Sequence, residues 1–171
     1  YLRVIGMFRL IRRALRLDKC SIVLSQDRND MVITYAGAVY HFCLKRGILK
    51  KACELQHCRT VLHQSIASLD PNVFVFGEYG RNSTRLDVPL YLSRDGGRNW
   101  NPQYVFPAGS IRHIHGAYYD KFTGHIWVPT GDFAGECYIY EFDDIYLNNP
   151  TIHGDGSQVW RTVGLFFTED S

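Results

Sequence analysis

The chain has 171 residues, 46% of them hydrophobic and 14% aromatic, which supplies a core and excludes a disordered chain. A net charge of +2 gives no ground for a nucleic-acid partner, and no apolar run approaches the roughly 18–20 residues of a membrane-spanning helix. The charge is uneven: Arg3, Arg9, Arg12, Arg13 and Arg16 all precede the first acidic residue, Asp18. The cysteines (Cys20, Cys43, Cys53, Cys58, Cys137) are odd in number and lack C-x-x-C spacing. They read as reduced thiols of a cytoplasmic protein, in keeping with an N-terminus whose apolar residues are interrupted by arginines and do not form a signal peptide. Cys53, His57, Cys58 and His63 crowd together, but their spacing matches no common zinc module.

From the N-terminus, residues 2–17 have a helical period. Arg9, Arg12, Arg13 and Arg16 share one side, and Val4, Phe8, Ile11 and Leu15 another. Such a helix either lies on an anionic membrane surface or packs on the protein body with its arginines solvated. This basic segment, 1–18, precedes a β-rich remainder, 19–171. There, Ser21–Leu24 and Met31–Tyr35 flank a turn at 26–30, and Ala38–Leu44 follows. Lys45, Arg46, Lys50 and Lys51 read as a solvated loop. Val73–Phe76, Pro89–Ser93 and Gln103–Phe106 form a second set of strands. His113–Tyr119, His125–Val128, Tyr138–Phe142 and Trp160–Phe167 complete the expected strands, with an insertion-prone stretch from Asp143 to Gly156.

The runs repeat. MVITYAG (31–37), NVFVFGEYG (72–80) and HIWVPTGD (125–132) are apolar strands that end in glycine-containing turns, each followed by a second strand. Successive units begin roughly 40–55 residues apart, close to the period of four-stranded propeller blades. Ser93-Arg94-Asp95-Gly96-Gly97-Arg98-Asn99-Trp100 fits S-x-D-x-G-x-x-W. In such a turn Asp95 can accept hydrogen bonds from its own backbone, the glycines permit positive φ, and Trp100 folds back on the sheet.

This motif is the Asp box, or bacterial neuraminidase repeat. Together with GEYGRN (77–82), VPLYLSRDGG (88–97), FPAGSIRHIHGAYYD (106–120), HIWVPTGDFAGECYIYEFDD (125–144) and GSQVWRTVGLFFTED (156–170), it resembles sialidase-like Asp-box propellers of prokaryotes. The resemblance implies an all-β propeller of four-stranded antiparallel blades, in which the Asp box joins the third and fourth strands and is structural. About three blades and a further strand fit the sequence, fewer than the usual minimum of four, so the expectation is a piece of a longer propeller. Asp143 and Asp144 fall where a degenerate Asp box would begin.

Topology narrows the search for chemistry. In such blades the loops between second and third strands share one rim with the blade-to-blade links, opposite the Asp box. Glu78, Arg81, Asn82 and Arg85 belong to one such loop, Asp132 and Glu136 to the next. Arg112, His113 and His115 begin an innermost strand, and Ser157, Gln158 and Arg161 approach another. These groups are expected to meet on one rim. Arginines paired with acids suit an anionic sugar, so Arg81, Arg85, Arg112, His115, Gln158 and Arg161 read as substrate-binding, and Glu78, Asp132, Glu136 and His113 as catalytic. Glycosidase and lyase chemistry both fit this set, and a non-catalytic scaffold for glycan or protein binding is the alternative. The sialidase set of three arginines, a Tyr–Glu pair and an aspartate does not map onto this chain residue by residue. His113 and His115 alternate along an extended run and so face one side. With Asp132 or Glu136 they would suit a divalent metal, or a histidine could serve as a proton-abstracting base; their other reading is hydrogen bonding between blades. No cofactor is specified by the sequence.

Overall fold

The alternating apolar runs become strands that pair with their neighbours in the chain. A computed structural model describes residues 19–169. In it β1 (Cys20–Leu24), β2 (Asp30–Tyr35), β3 (Ala38–Cys43) and β4 (Ile48–Glu54) form a first antiparallel sheet in chain order. A second sheet contains β5 (Ile66–Ser68), β6 (Phe74–Gly77), β7 (Val88–Ser93) and β8 (Asn101–Phe106). A third contains β9 (Tyr118–Tyr119), β10 (Ile126–Pro129), β11 (Cys137–Phe142) and β12 (Thr151–Gly156), followed by a 3-10 turn, Gln158–Trp160. The architecture is therefore all-β, three four-stranded antiparallel meanders, with no α-helix among the described residues. The amphipathic helix expected over 2–17 lies outside those residues.

The sheets stack with their first strands adjacent, β1 against β5 and β5 against β9. Period-two alternation sends the two faces of the middle sheet into different cores. Phe74, Phe76 and Tyr91 pack with Val32, Val39 and Trp100 toward the first sheet. Val75, Leu90 and Leu92 pack with Phe106, Ile114, Val128 and Phe142 toward the third. Burial on both faces explains why β6 and β7 read as nearly continuous apolar runs. The other face of the first sheet is only partly covered. In it Leu24, Met31, Phe42 and Leu49 stand opposite one another across the four strands.

Several sequence expectations change. The stretch read as a basic loop contributes Ile48–Glu54 to β4, an edge strand whose lysines remain solvated. Thr151–Gly156, expected as an insertion, pairs with β11 despite its two glycines and is the fourth strand of the third sheet. Trp160–Phe167 is not a strand. The third sheet already has its four strands, and this segment instead passes alongside, where the Tyr118 hydroxyl donates to the Val163 carbonyl at 2.9 Å. The strand expected over His113–Tyr119 shrinks to Tyr118–Tyr119, preceded by a bridge between Ile114 and Thr130.

The Ser93–Trp100 turn joins β7 to β8, and its polar atoms close on one another. Asp95 Oδ1 accepts from Ser93 Oγ at 2.9 Å, Arg98 N at 3.0 Å and Asn99 N at 2.9 Å. Burial works against the Asp95 charge, but the bonds from Asn99, Ser93 and Arg98 outweigh it and hold its carboxyl below the ordinary value. Trp100 donates Nε1–H to the Gly97 carbonyl at 3.0 Å and meets Phe76 edge-on at 4.8 Å. Gly97 sits at φ 86°, where a Cβ would stand 2.4 Å from Val32, so both backbone and packing require glycine.

Candidate functional site

At the opposite edge of the sheets, packing decides where the polar groups point. The link from β8 to β9 is pinned by Ile111 and Ile114, both in the core between the second and third sheets. Gly77 makes room for Ile114, since a Cβ there would lie 2.5 Å from its side chain. Ile114 N donates to the Glu78 carbonyl and His115 N to the Pro129 carbonyl, each at 2.9 Å. With Ile114 held inward, His113 and His115 both project to the other side.

There they meet Asp132, carried by the turn from β10 to β11. His113 Nε2 lies 3.3 Å from Asp132 Oδ2, and His115 Nε2 lies 3.5 Å from Asp132 Oδ1. The far nitrogens are occupied: His113 Nδ1 bonds the Gly80 carbonyl at 2.8 Å, and His115 Nδ1 the Thr162 carbonyl at 2.5 Å. A carbonyl can only accept, so each Nδ1 carries a proton and donates, and each ring aims its other nitrogen, Nε2, at Asp132. Both Nε2 atoms are buried without a hydrogen-bond partner. The Tyr79 ring covers the imidazoles, 4.2 Å from His113 and 5.9 Å from His115.

Arginines surround this centre. Arg161 Nη2 donates to Asp132 Oδ1 at 2.8 Å, and Arg112 Nη1 lies 3.7 Å from Oδ2. Burial opposes the Asp132 charge, but His113, Arg161 and His115 outweigh it and keep the carboxyl below its ordinary value. Burial pushes His113 downward, favouring the neutral ring. Glu136 accepts from Arg85 Nε at 2.5 Å and from the Arg112 backbone at 3.2 Å. The Phe133 ring lies under both Arg85 and Arg112, 5.4 and 5.3 Å from their guanidinium carbons. Gln158 Nε2 donates to the Asp132 carbonyl at 2.9 Å and so ties down the turn that carries it. Arg81 joins through its backbone, its carbonyl accepting from Arg112 Nε at 2.9 Å, while its side chain is exposed.

Arg85, Arg112, His113, His115, Asp132, Glu136, Gln158 and Arg161 are thus brought together, as topology predicts. Glu78 is a correction. It is fully buried, with Oε1 accepting from Gln56 N at 2.8 Å and Tyr91 Oη at 3.2 Å, and Oε2 from His57 N at 2.5 Å. Its carboxylate anchors the link between β4 and β5 and has no oxygen left for a substrate. Phe133 and the carbonyls of Gly80 and Thr162 complete the site without having been expected. An aromatic ring inside a glycine-containing turn was the available signal for Phe133; main-chain carbonyls leave none.

Among the described residues, His113, His115 and Asp132 form a group whose potential ligand atoms lie within 4.8 Å of one another. A separate cavity of about 460 Å³ runs beside β5 and β9, between Ile66, Tyr118, Tyr119, Phe122 and Phe166. No family model, no curated protein and no solved structure matches this chain.

Proposed function

We propose that the chain is part of an Asp-box β-propeller of the sialidase-like kind, and that the edge around Asp132 binds an acidic carbohydrate. Three successive meanders, adjacent first strands and the Ser93–Trp100 turn between third and fourth strands support the propeller reading. The in-register apolar row Leu24, Met31, Phe42 and Leu49 suits packing against another sheet of the same kind.

One observation carries the ligand class. The guanidiniums of Arg85, Arg112 and Arg161 outnumber the carboxylates of Asp132 and Glu136 on the same edge. Arginine forks bind carboxylates in two parallel hydrogen bonds, and the partly exposed Arg161 and Arg81 have donors to offer. Phe133 supplies an aromatic surface beside them for an apolar sugar face. Asp132 is held charged and so suits a base or an electrostatic anchor, not the general acid of a glycoside hydrolase. Binding is therefore the better-supported activity.

A glycan array on the full chain tests this. Uronate- and sialate-bearing glycans should bind in preference to neutral ones, and Arg161→Ala and Arg112→Ala should each weaken that binding about tenfold. Equal binding of neutral glycans, or none of any kind, would overturn the reading and favour a protein scaffold.

A further inference from the structure

The acidic-sugar reading leaves one feature of this edge without a partner. His113 and His115 are 3% and 1% exposed, and each turns its Nε2 toward the Asp132 carboxylate. Neither Nε2 has a hydrogen-bond partner, although each lies within 3.5 Å of the carboxylate. Buried polar nitrogens are rarely left without a partner, and a ligand from outside the chain would satisfy both.

We propose that His113 Nε2, His115 Nε2 and Asp132 Oδ2 bind one divalent transition-metal ion. The separations fit. Two ligands about 2.0–2.1 Å from a tetrahedral ion stand about 3.3 Å apart. His113 Nε2 is 3.3 Å from Asp132 Oδ2, and all three groups lie within 4.8 Å of one another, so the widest pair has at most about 0.7 Å to close before one ion reaches both at about 2.05 Å. The outer contacts fit as well. Metal-ligating histidines give their other N–H to a carbonyl or carboxylate, which fixes tautomer and ring orientation, and the Gly80 and Thr162 carbonyls do this here. Binding through Oδ2 leaves Oδ1 for Arg161, which then orients the carboxylate. Arg112 Nη1 is 3.7 Å from Oδ2, beyond hydrogen-bond distance, and its guanidinium lies over the Phe133 ring.

Two imidazoles and one carboxylate select zinc, iron(II), cobalt(II) or manganese(II) over calcium and magnesium, which prefer oxygen alone. Three protein ligands leave at least one position for water or for an oxygen of a bound ligand. The ion site rests on its own geometry and stands whether or not a sugar binds beside it.

Cobalt(II) titration of the chelator-treated full chain tests the proposal by visible absorption, followed by zinc competition. One equivalent of cobalt should bind with d–d bands and no intense thiolate charge-transfer band, and zinc should displace it. Asp132→Ala and His113→Gln should each weaken binding about 100-fold or more, beyond the 10–100-fold typical of losing an outer contact. His125→Gln, in a separate cluster with Glu141 and His153, should leave it unchanged. Near-ultraviolet circular dichroism establishes that each variant is folded; Asp132→Ala, at the less enclosed ligand, guards against a failure of His113→Gln to fold. No cobalt bound, a thiolate band, or unchanged affinity in a folded Asp132→Ala or His113→Gln would each overturn the proposal.

Discussion

Two polar clusters sit at opposite edges of the same sheets, and they differ in how completely they satisfy themselves. In the Ser93–Trp100 turn, the Asp95 carboxylate takes its hydrogen bonds from within the motif, and Trp100 seals the turn against Phe76. Around Asp132, two buried imidazole nitrogens without hydrogen-bond partners lie 3.3 and 3.5 Å from the carboxylate, and the partly exposed Arg161 guanidinium stands beside them. The first arrangement is complete in itself and needs nothing from outside. The second holds unpaired polar atoms, which folded proteins retain at a cost and which are therefore where a ligand is to be sought. Residue type alone does not separate the two, since each contains an aspartate, an arginine and an aromatic ring.

The largest effect should come from the closed edge. Trp100→Ala removes a buried ring from the core between the first two sheets and should cost about 3–5 kcal/mol in urea unfolding. Asp95→Ala should cost about 1–3 kcal/mol, because the turn's backbone donors lose their acceptor. Its pH dependence follows from the lowered carboxyl: the stabilisation is complete above the unfolded value near 4 and disappears as pH falls through the folded one. Asp95→Asn should therefore flatten the acid limb of a stability–pH curve.

At the open edge the same change should behave differently. Asp132→Asn keeps an oxygen for Arg161 and places an amide opposite His113 Nε2, so in chelator-treated protein it should cost no more than about 1 kcal/mol by thermal melting, the worth of a partly exposed ion pair. A cost as large as that of Asp95→Ala would show the Asp132 cluster to be as closed as the turn. Smallest of all, Arg81→Ala should leave the melting curve unchanged while weakening acidic-glycan binding a few-fold, because its side chain is exposed.

Local chemistry was legible in the sequence where the interaction stays within a few residues. The Ser93–Trp100 motif specifies its own bonds, and the alternation of His113, Ile114 and His115 already says that the histidines share a side. Two of the fourth strands were not legible. β4 carries lysines and β12 carries glycines, and each is a strand because a neighbouring strand presents a row of hydrogen-bonding groups. The aromatic run after Trp160 shows the converse, strand-like residues beside a sheet already complete. Glu78 shows the limit for a site residue: its loop was placed well, but backbone donors of Gln56 and His57, more than twenty positions away, draw its carboxylate inward.

Periodicity and turn chemistry act between neighbours in the chain, so the residues alone were sufficient for the three pairs of central strands and for the turn at Trp100. The meeting of Asp132 with His113 and His115, the withdrawal of Glu78 and the unpaired state of two imidazole nitrogens depend on groups far apart in sequence. Those outcomes belong to packing, because the direction of a loop side chain is set by whichever distant donor or core residue reaches it in the folded chain.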